Sequence, residues 1–176
     1  MIRSFRKWFA AALVIGTLVI GTSGVSAATS TATLTAGSLS ISAAPVNFLY
    51  PSTALTGDII NLTSSFAVGV NDATGSKAGW SLQGVITVLT NAGSDTIPAV
   101  GHTISGVAIS GVTGTAPTNS IANGQIPTVA AKIYNAASNT GKGKSTETFS
   151  TALAVPADTA AGTYTATLTV TIVSGP

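Results

Sequence analysis

Residues 162–172, GTYTATLTVTI, carry the clearest structural signal in this chain. The face shared by Tyr164 and every second residue up to Ile172 is apolar, whereas the four positions between them on the other face, 165, 167, 169 and 171, are all threonine. A repeat of two residues is that of a β-strand with one buried face and one face open to water or to a partner. The segment therefore predicts a strand of an antiparallel sheet.

The approach to this strand, VPADTAAGTY (residues 155–164), places a proline, an aspartate and a glycine before Tyr164. β-Sandwich domains often use a tyrosine there, with its hydroxyl bonded back to loop backbone in a tyrosine corner. An ordinary tyrosine at the edge of the core is the alternative, and the sequence leaves both open.

Strand-like segments recur through the rest of the chain, separated by stretches of turn composition, and helix signals are nearly absent after the N-terminus. They cover residues 33–42, 59–70, 79–90, 102–113, 127–134, 145–155 and 163–173. Glycines interrupt the 102–113 segment, which predicts bulges or an edge position. Seven or so short strands at this spacing predict an all-β fold, a single antiparallel β-sandwich of the Ig-like or Greek-key type.

The N-terminal 27 residues have the pattern of a signal peptide: a basic start, an apolar stretch and small residues before Ala28. An uncleaved anchor is the alternative, but the apolar run is short for a membrane span. We expect residues 28–176 to form one exported domain without a membrane span or a C-terminal sorting signal. That part has four lysines against five acids, a net charge of −1, whereas the whole chain has +2. Without a basic patch, nucleic-acid binding is excluded.

Trp80 opens the alternating run GWSLQGVITVLT (residues 79–90), and it is the only tryptophan after the leader. The pattern places Trp80, Leu82, Ile86 and Val88 on one face of a strand. A tryptophan serves equally as a core anchor or as a binding surface. Trp80 and Leu82 are therefore the candidate ligand-binding residues, with a core tryptophan as the alternative.

Residues capable of catalysis are sparse, so the sequence predicts a protein that is not an enzyme. Cysteine is absent, and the single histidine, His102, is expected at the surface or in a loop without a nucleophile beside it. The five acids of residues 28–176 are scattered and are predicted to form turns. No cofactor and no metal site are expected, although an oxygen-only calcium site around Asn71 and Asp72 stays open.

Two blocks of the sequence resemble the WxL-domain family of Gram-positive bacterial cell-surface proteins. In VNDATGSKAGWSLQ (residues 70–83), an aspartate turn and a glycine lead into Trp-x-Leu. In AVPADTAAGTYTATLTVTIVSGP (residues 154–176), a proline and Ala-Gly-x-Tyr lead into a threonine-rich strand. Besides Trp80 and Leu82, the matched positions are Asp72, Gly75, Gly79, Pro156, Ala161, Gly162 and Tyr164, of which Asp72, Gly79, Pro156, Gly162 and Tyr164 are expected to have structural roles.

The resemblance implies a secreted β-sandwich held non-covalently on the cell wall through peptidoglycan, often beside other cell-surface proteins. One departure concerns the last strand, where the family usually carries a second Trp-x-Leu and this chain has Val170-Thr171-Ile172. The absence of that second indole is expected to affect wall binding more than the fold. The alternative function is a structural subunit that self-associates into a fibre or layer by strand addition, with residues 29–42 as the donor strand.

Overall fold

Ten β-strands and one short 3-10 helix make up the secondary structure of residues 30–176, the part of the chain that the computed structural model describes. Residues 35–176 form one compact unit. The predicted signal peptide, residues 1–27, lies outside the described residues. The strands are β1 (Leu39–Ala43), β2 (Ile60–Asp72), β3 (Trp80–Ile86), β4 (Leu89–Thr90), β5 (Thr96–Ile97), β6 (His102–Gly114), β7 (Gly124–Gln125), β8 (Ala131–Ala136), β9 (Gly143–Val155) and β10 (Leu168–Ser174), with the 3-10 helix at Ala99–Gly101.

The strands form a five-stranded sheet in the order β1-β2-β9-β6-β7 and a three-stranded sheet in the order β10-β3-β8, and β4 pairs with β5. All neighbouring pairs are antiparallel. The longest ladder joins β2 and β9 without a break, from Ile60 opposite Val155 to Asp72 opposite Gly143. The prediction of an all-β antiparallel sandwich is confirmed.

The main core lies between these two sheets and combines inward side chains of both. Phe66 of β2 stacks on Phe149 of β9 with ring centroids 4.8 Å apart, and Tyr134 of β8 meets Phe149 edge-on at 6.0 Å. Each of these large side chains contributes about 1.5–3 kcal/mol through burial. A second, smaller cluster joins Leu89, Ile97, Leu153 and Val155.

The observed strands follow the predicted segments, with differences at their ends. The glycine-broken strand β6 has bulges between Ile104 and Gly106 and between Ser110 and Thr113, as predicted. β3 ends at Ile86, so Val88 is 44% exposed and does not share the buried face of Trp80 as the alternation predicts.

The last strand is shorter than the sequence indicates. β10 begins only at Leu168, and before it the chain touches the β4 strand through one bridge between Thr165 and Thr90. Within β10 the predicted alternation is present, with Leu168, Val170 and Ile172 half-buried and the threonines exposed. The two-residue strands β5 and β7 lie in segments of turn composition, where no local pattern marks them.

Candidate functional site

Trp80 and Leu82 lie in the core, and neither side chain is exposed. The indole Nε1 of Trp80 donates a hydrogen bond to the carbonyl oxygen of Gly141 at 2.9 Å, and its ring packs against Tyr134. Because both side chains point between the sheets, the core position considered from the sequence is the one found. In this conformation neither side chain offers a surface to a ligand.

The segment that takes the place of a second Trp-x-Leu lies directly beside the first. β10 pairs with β3 so that Ile172 is opposite Leu82 and Val170 is opposite Gly84. Both apolar side chains of the segment are half-buried and pack against the main core. Val170 and Ile172 therefore keep the inward face of the strand without an aromatic ring.

The turn that leads into Trp80 is held by Asp72 and Gly79. The Asp72 carboxylate accepts hydrogen bonds from the backbone N–H and the hydroxyl of Thr74, at 3.1 and 2.6 Å, which is the bonding pattern of an aspartate turn. Gly79 has a φ of +75°, and a Cβ there would collide with the carbonyl oxygen of Ala136. This backbone requires glycine and sets the direction in which β3 starts.

The closing block folds into a second compact turn. The Pro156 carbonyl accepts hydrogen bonds from the backbone N–H and the hydroxyl of Thr159, at 3.2 and 2.7 Å. The Tyr164 hydroxyl donates to the carbonyl oxygen of Ala160 at 2.9 Å, which is the bond of a tyrosine corner. Gly162 lies against Asn91, whose amide nitrogen would be 3.0 Å from an added Cβ.

A cleft of about 890 Å³ lies between two segments that flank the sheets, residues 45–55 between β1 and β2 and residues 159–168, which end at the first residue of β10. Phe48, Tyr50 and Tyr164 line it together with aliphatic side chains that include those of the smaller core cluster. None of its lining residues is an aspartate, glutamate, lysine or arginine. The cleft is an uncharged, partly aromatic cavity of the size typical for small-molecule sites.

The cleft and Trp80 lie at opposite ends of β3. Trp80 begins that strand, and Ile86, which ends it, lines the cleft. Six residues of extended chain span about 20 Å. The buried indole and the cleft are therefore separate features of the domain.

His102 also lines the cleft, but it is only 1% exposed, so the predicted surface or loop position is wrong. The rings of Phe48 and Tyr50 pack over it, with centroids 5.7 and 5.4 Å away. Its Nε2 lies 2.5 Å from the Tyr50 hydroxyl, which donates to the Thr151 hydroxyl at 3.1 Å. Burial lowers the pKa of His102 to about 4, so the imidazole is neutral at pH 7.

Residues 25–176 match the family model described as WxL domain, surface cell wall-binding. The chain belongs to the WxL-domain family. No curated protein matches this chain. The WxL family is a surface family that binds the cell wall, which places this protein outside the cell at the wall.

The prediction that Glu147 forms a turn is wrong for this WxL domain. It lies in the middle of β9, opposite Val68 and Ile109, and its side chain is fully buried. Its Oε1 accepts a hydrogen bond from the Ser145 hydroxyl at 2.6 Å, while its Oε2 has no partner among residues 30–176. Burial raises the pKa of Glu147, and burial together with the Glu147 charge raises the pKa of Tyr134 to about 12. The alternation of β9 gives the signal that could have located it, because positions 145, 147 and 149 face inward together.

The WxL domain brings no three His, Asp or Glu side chains of residues 30–176 close enough to hold a metal ion. Both hydroxyl oxygens near His102 belong to Tyr50 and Thr151, and no carboxylate lines the cleft to orient the imidazole. Within the same residues, no helix has the length and apolar character needed to cross a membrane.

Proposed function

We propose that this WxL domain is a non-catalytic module that attaches to the cell wall by binding peptidoglycan in the cleft between residues 45–55 and 159–168. The observation that carries the proposal is the cleft itself, which is uncharged and has aromatic rings on its walls. Export through the predicted signal peptide, residues 1–27, is part of this proposal. N-terminal sequencing of the secreted protein should give Ala28 as the first residue.

The chemistry of the cleft suits a sugar ring. Apolar C–H faces of sugars pack against aromatic rings such as Tyr164, whereas sugar hydroxyls need hydrogen-bonding partners nearby. The segment before β10 supplies such partners, because Thr159, Thr163, Thr165 and Thr167 line the cleft. A neutral lining favours an uncharged stretch of glycan over a strongly charged polymer, because a buried charge would lack a partner.

Direct contact of Trp80 and Leu82 with a ligand stays a prediction. Their burial supports an indirect role, in which the Trp-x-Leu motif fixes β3 between β8 and β10. The binding surface would then be formed by the far end of the same sandwich.

The proposal of a non-catalytic protein rests on the surroundings of the one histidine. General-base catalysis needs an imidazole within reach of a nucleophile and held by a third group. His102 is covered by Phe48 and Tyr50 and has a lowered pKa, which makes it a weak base at neutral pH.

Sedimentation of residues 28–176 with purified peptidoglycan tests the wall-binding proposal. We expect Tyr164→Ala to weaken binding about five-fold, because aromatic packing contributes about 1 kcal/mol, whereas Tyr164→Phe keeps the ring and should bind nearly as the wild type does. Val129→Ala is the control, since Val129 is 77% exposed and does not line the cleft. Equal retention of all three variants, with circular dichroism showing intact folds, would reject the cleft as the wall site.

A second candidate function is association with other surface proteins or with further copies of the chain by strand addition. It is favoured by β6, whose outer edge is paired with β7 only at Thr103 and Ile104 and whose Ile109 and Val112 are exposed. The predicted donor segment, residues 29–42, argues against this candidate, because its strand β1 already pairs with β2 of the same chain. Filaments by negative-stain microscopy would support self-assembly, and a monomer at all concentrations by light scattering would contradict it.

A further inference from the structure

Residues 45–55, which we name the strap, cover one side of the cleft with few attachments to the rest of the domain. The strap contains no strand or helix, and within residues 30–176 no backbone–backbone hydrogen bond joins it to another segment. Val46 and Leu49 are 75% and 82% exposed. Segments with so few backbone hydrogen bonds and buried contacts open at low free-energy cost.

Two aromatic rings and three hydrogen bonds that involve side chains attach the strap. Phe48 packs against Phe66 with ring centroids 5.3 Å apart, and the Ser64 hydroxyl donates to the Leu49 carbonyl at 2.8 Å. The Tyr50 hydroxyl points inward and contacts both His102 and Thr151. The strap is therefore closed over the imidazole of His102.

Protonation of His102 conflicts with the closed strap. A protonated imidazole donates from both nitrogens, and the Tyr50 oxygen can accept from Nε2 while its hydroxyl donates to Thr151. Nδ1, however, has no partner among residues 30–176. The protonated ring would be a buried cation with an unpaired N–H, which is costly unless water can reach it.

The groups that face His102 offer no compensation. The strap contributes Phe48 and Tyr50, β9 contributes Thr151 and pairs Leu153 with His102, and no charged residue lines the cleft. Tyr50 is the titratable group in contact, and burial raises its pKa, so it stays neutral under acidic conditions.

We propose that the strap is an acid-sensitive cover of the cleft, which opens when His102 is protonated and closes when His102 is neutral. With the strap open, water and a ligand reach the inner wall of the cleft. The acid-dependent opening stands on the strap alone, whereas its consequence for wall binding rests on the function proposed above.

The size of the effect follows from the two protonation states. In the closed state the pKa of His102 is about 4, and in the open state it returns to its ordinary value of about 6.5. The ratio of open to closed strap should therefore rise about 20-fold between pH 7 and pH 5.

Distance measurements between spin labels test this opening, and the chain has no cysteine of its own to interfere. One label on Leu49→Cys reports the strap, and a second on Thr171→Cys, an exposed position of β10, gives the reference. We expect a longer distance to gain population at pH 5. The control pair, Ser150→Cys with Thr171→Cys, should not change, because both positions lie on strands of the sandwich.

Two variants decide whether His102 is the trigger. His102→Gln cannot take up a proton, so its distance distribution should be the same at pH 7 and pH 5. Tyr50→Phe loses the hydroxyl that meets His102 and Thr151, and should increase the open population at pH 7. An unchanged distribution in the wild type down to pH 4, or an equal acid response in His102→Gln, would overturn the proposal.

Peptidoglycan sedimentation at the same two pH values separates this proposal from the wall-binding one. Stronger binding at pH 5 than at pH 7 in the wild type, absent in His102→Gln, supports both. If the distance between the spin labels depends on pH and sedimentation does not, the acid-dependent opening of the strap is supported and the cleft is rejected as the wall site.

Discussion

The indole Nε1 of Trp80 donates its hydrogen bond to the carbonyl oxygen of Gly141 at 2.9 Å, across 61 positions of sequence. The interaction joins the start of β3 to the turn before β9, and so connects the three-stranded sheet to the five-stranded sheet. Gly141 is buried with a φ of +67°, although its segment, GKGK, has the composition of a flexible surface loop. The Trp-x-Leu motif thus has a structural partner far away in the chain.

Gly141→Ala should destabilise the domain by about 3 kcal/mol. A Cβ at this position would lie 2.5 Å from the Ala136 Cβ and 2.6 Å from the Trp80 Nε1, so overpacking adds about 1–3 kcal/mol to the left-handed backbone penalty of about 1 kcal/mol. Gly75→Ala is the matched control, because Gly75 has the same φ of +67° with nothing within 4 Å of the added Cβ. Urea unfolding of both variants measures the difference, and equal midpoints would contradict the packing argument.

Trp80→Phe should lower the free energy of unfolding by about 2–4 kcal/mol, because it leaves a cavity and a buried Gly141 carbonyl without its donor. Tyr134→Phe is the comparison within the same core. The Tyr134 hydroxyl is buried and has no partner among residues 30–176, so its removal should be neutral or stabilising. A larger decrease in the free energy of unfolding for Tyr134→Phe than for Trp80→Phe would contradict a stabilising role of the hydrogen bond to Gly141.

Glu147→Gln should stabilise the protein at neutral pH. Because the pKa of Glu147 is raised in the folded state, the folded protein holds this proton more tightly than the unfolded chain does. The contribution of Glu147 to stability is then full below its unfolded pKa and is lost as pH rises through the folded pKa. We expect Glu147→Gln to be more stable than the wild type at pH 7.5, because the amide carries no charge for burial to penalise.

Urea unfolding at two pH values tests whether Glu147→Gln is more stable than the wild type. The advantage of Glu147→Gln should shrink at pH 4, where the wild-type carboxyl is protonated as well. Ser145→Ala provides the opposite change, since it removes the hydroxyl that donates to the Glu147 carboxylate and should destabilise more at pH 7.5 than at pH 4. If Glu147→Gln were less stable than the wild type at pH 7.5, the charge of Glu147 would not be destabilising in the folded protein.

Tyr164→Phe should cost about 1 kcal/mol of unfolding free energy, which is the value of one net hydrogen bond. The bond in question is the one from the Tyr164 hydroxyl to the Ala160 carbonyl. Thr169→Val, at an exposed position of β10, is the control for changes on the same segment and should alter stability by less than about 0.5 kcal/mol. Thermal unfolding of the two variants side by side distinguishes them.

Much of the fold could be predicted from local patterns. Alternation located the main part of each of the seven longer strands among residues 30–176, since side-chain direction in a strand depends only on position. It failed where pairing ends a strand: β3 stops at Ile86 and exposes Val88, and β10 starts only at Leu168. Strand ends depend on neighbours that are distant in sequence, and local composition does not contain that information.

The candidate site was less accessible from sequence. The motif positions Asp72, Gly79 and Tyr164 stand out as turn and corner residues, and their local hydrogen bonds and backbone angles explain them. The cleft does not stand out, because its walls come from residues 45–55 and 159–168, which are more than 100 positions apart. His102 shows the same limit, since its burial depends on Tyr50, a residue of a different segment.

The sequence by itself determined the class of fold and the family, because both depend on periodic patterns and on short motifs such as Trp80-Ser81-Leu82. Tertiary structure alone decided that this tryptophan faces Gly141 inside the core, that Glu147 is a buried acid, and that an uncharged cleft contains a buried histidine. The physical reason is that burial is a property of what the rest of the chain places around a residue. Alternation tells which way a side chain points, and only packing tells what it meets there.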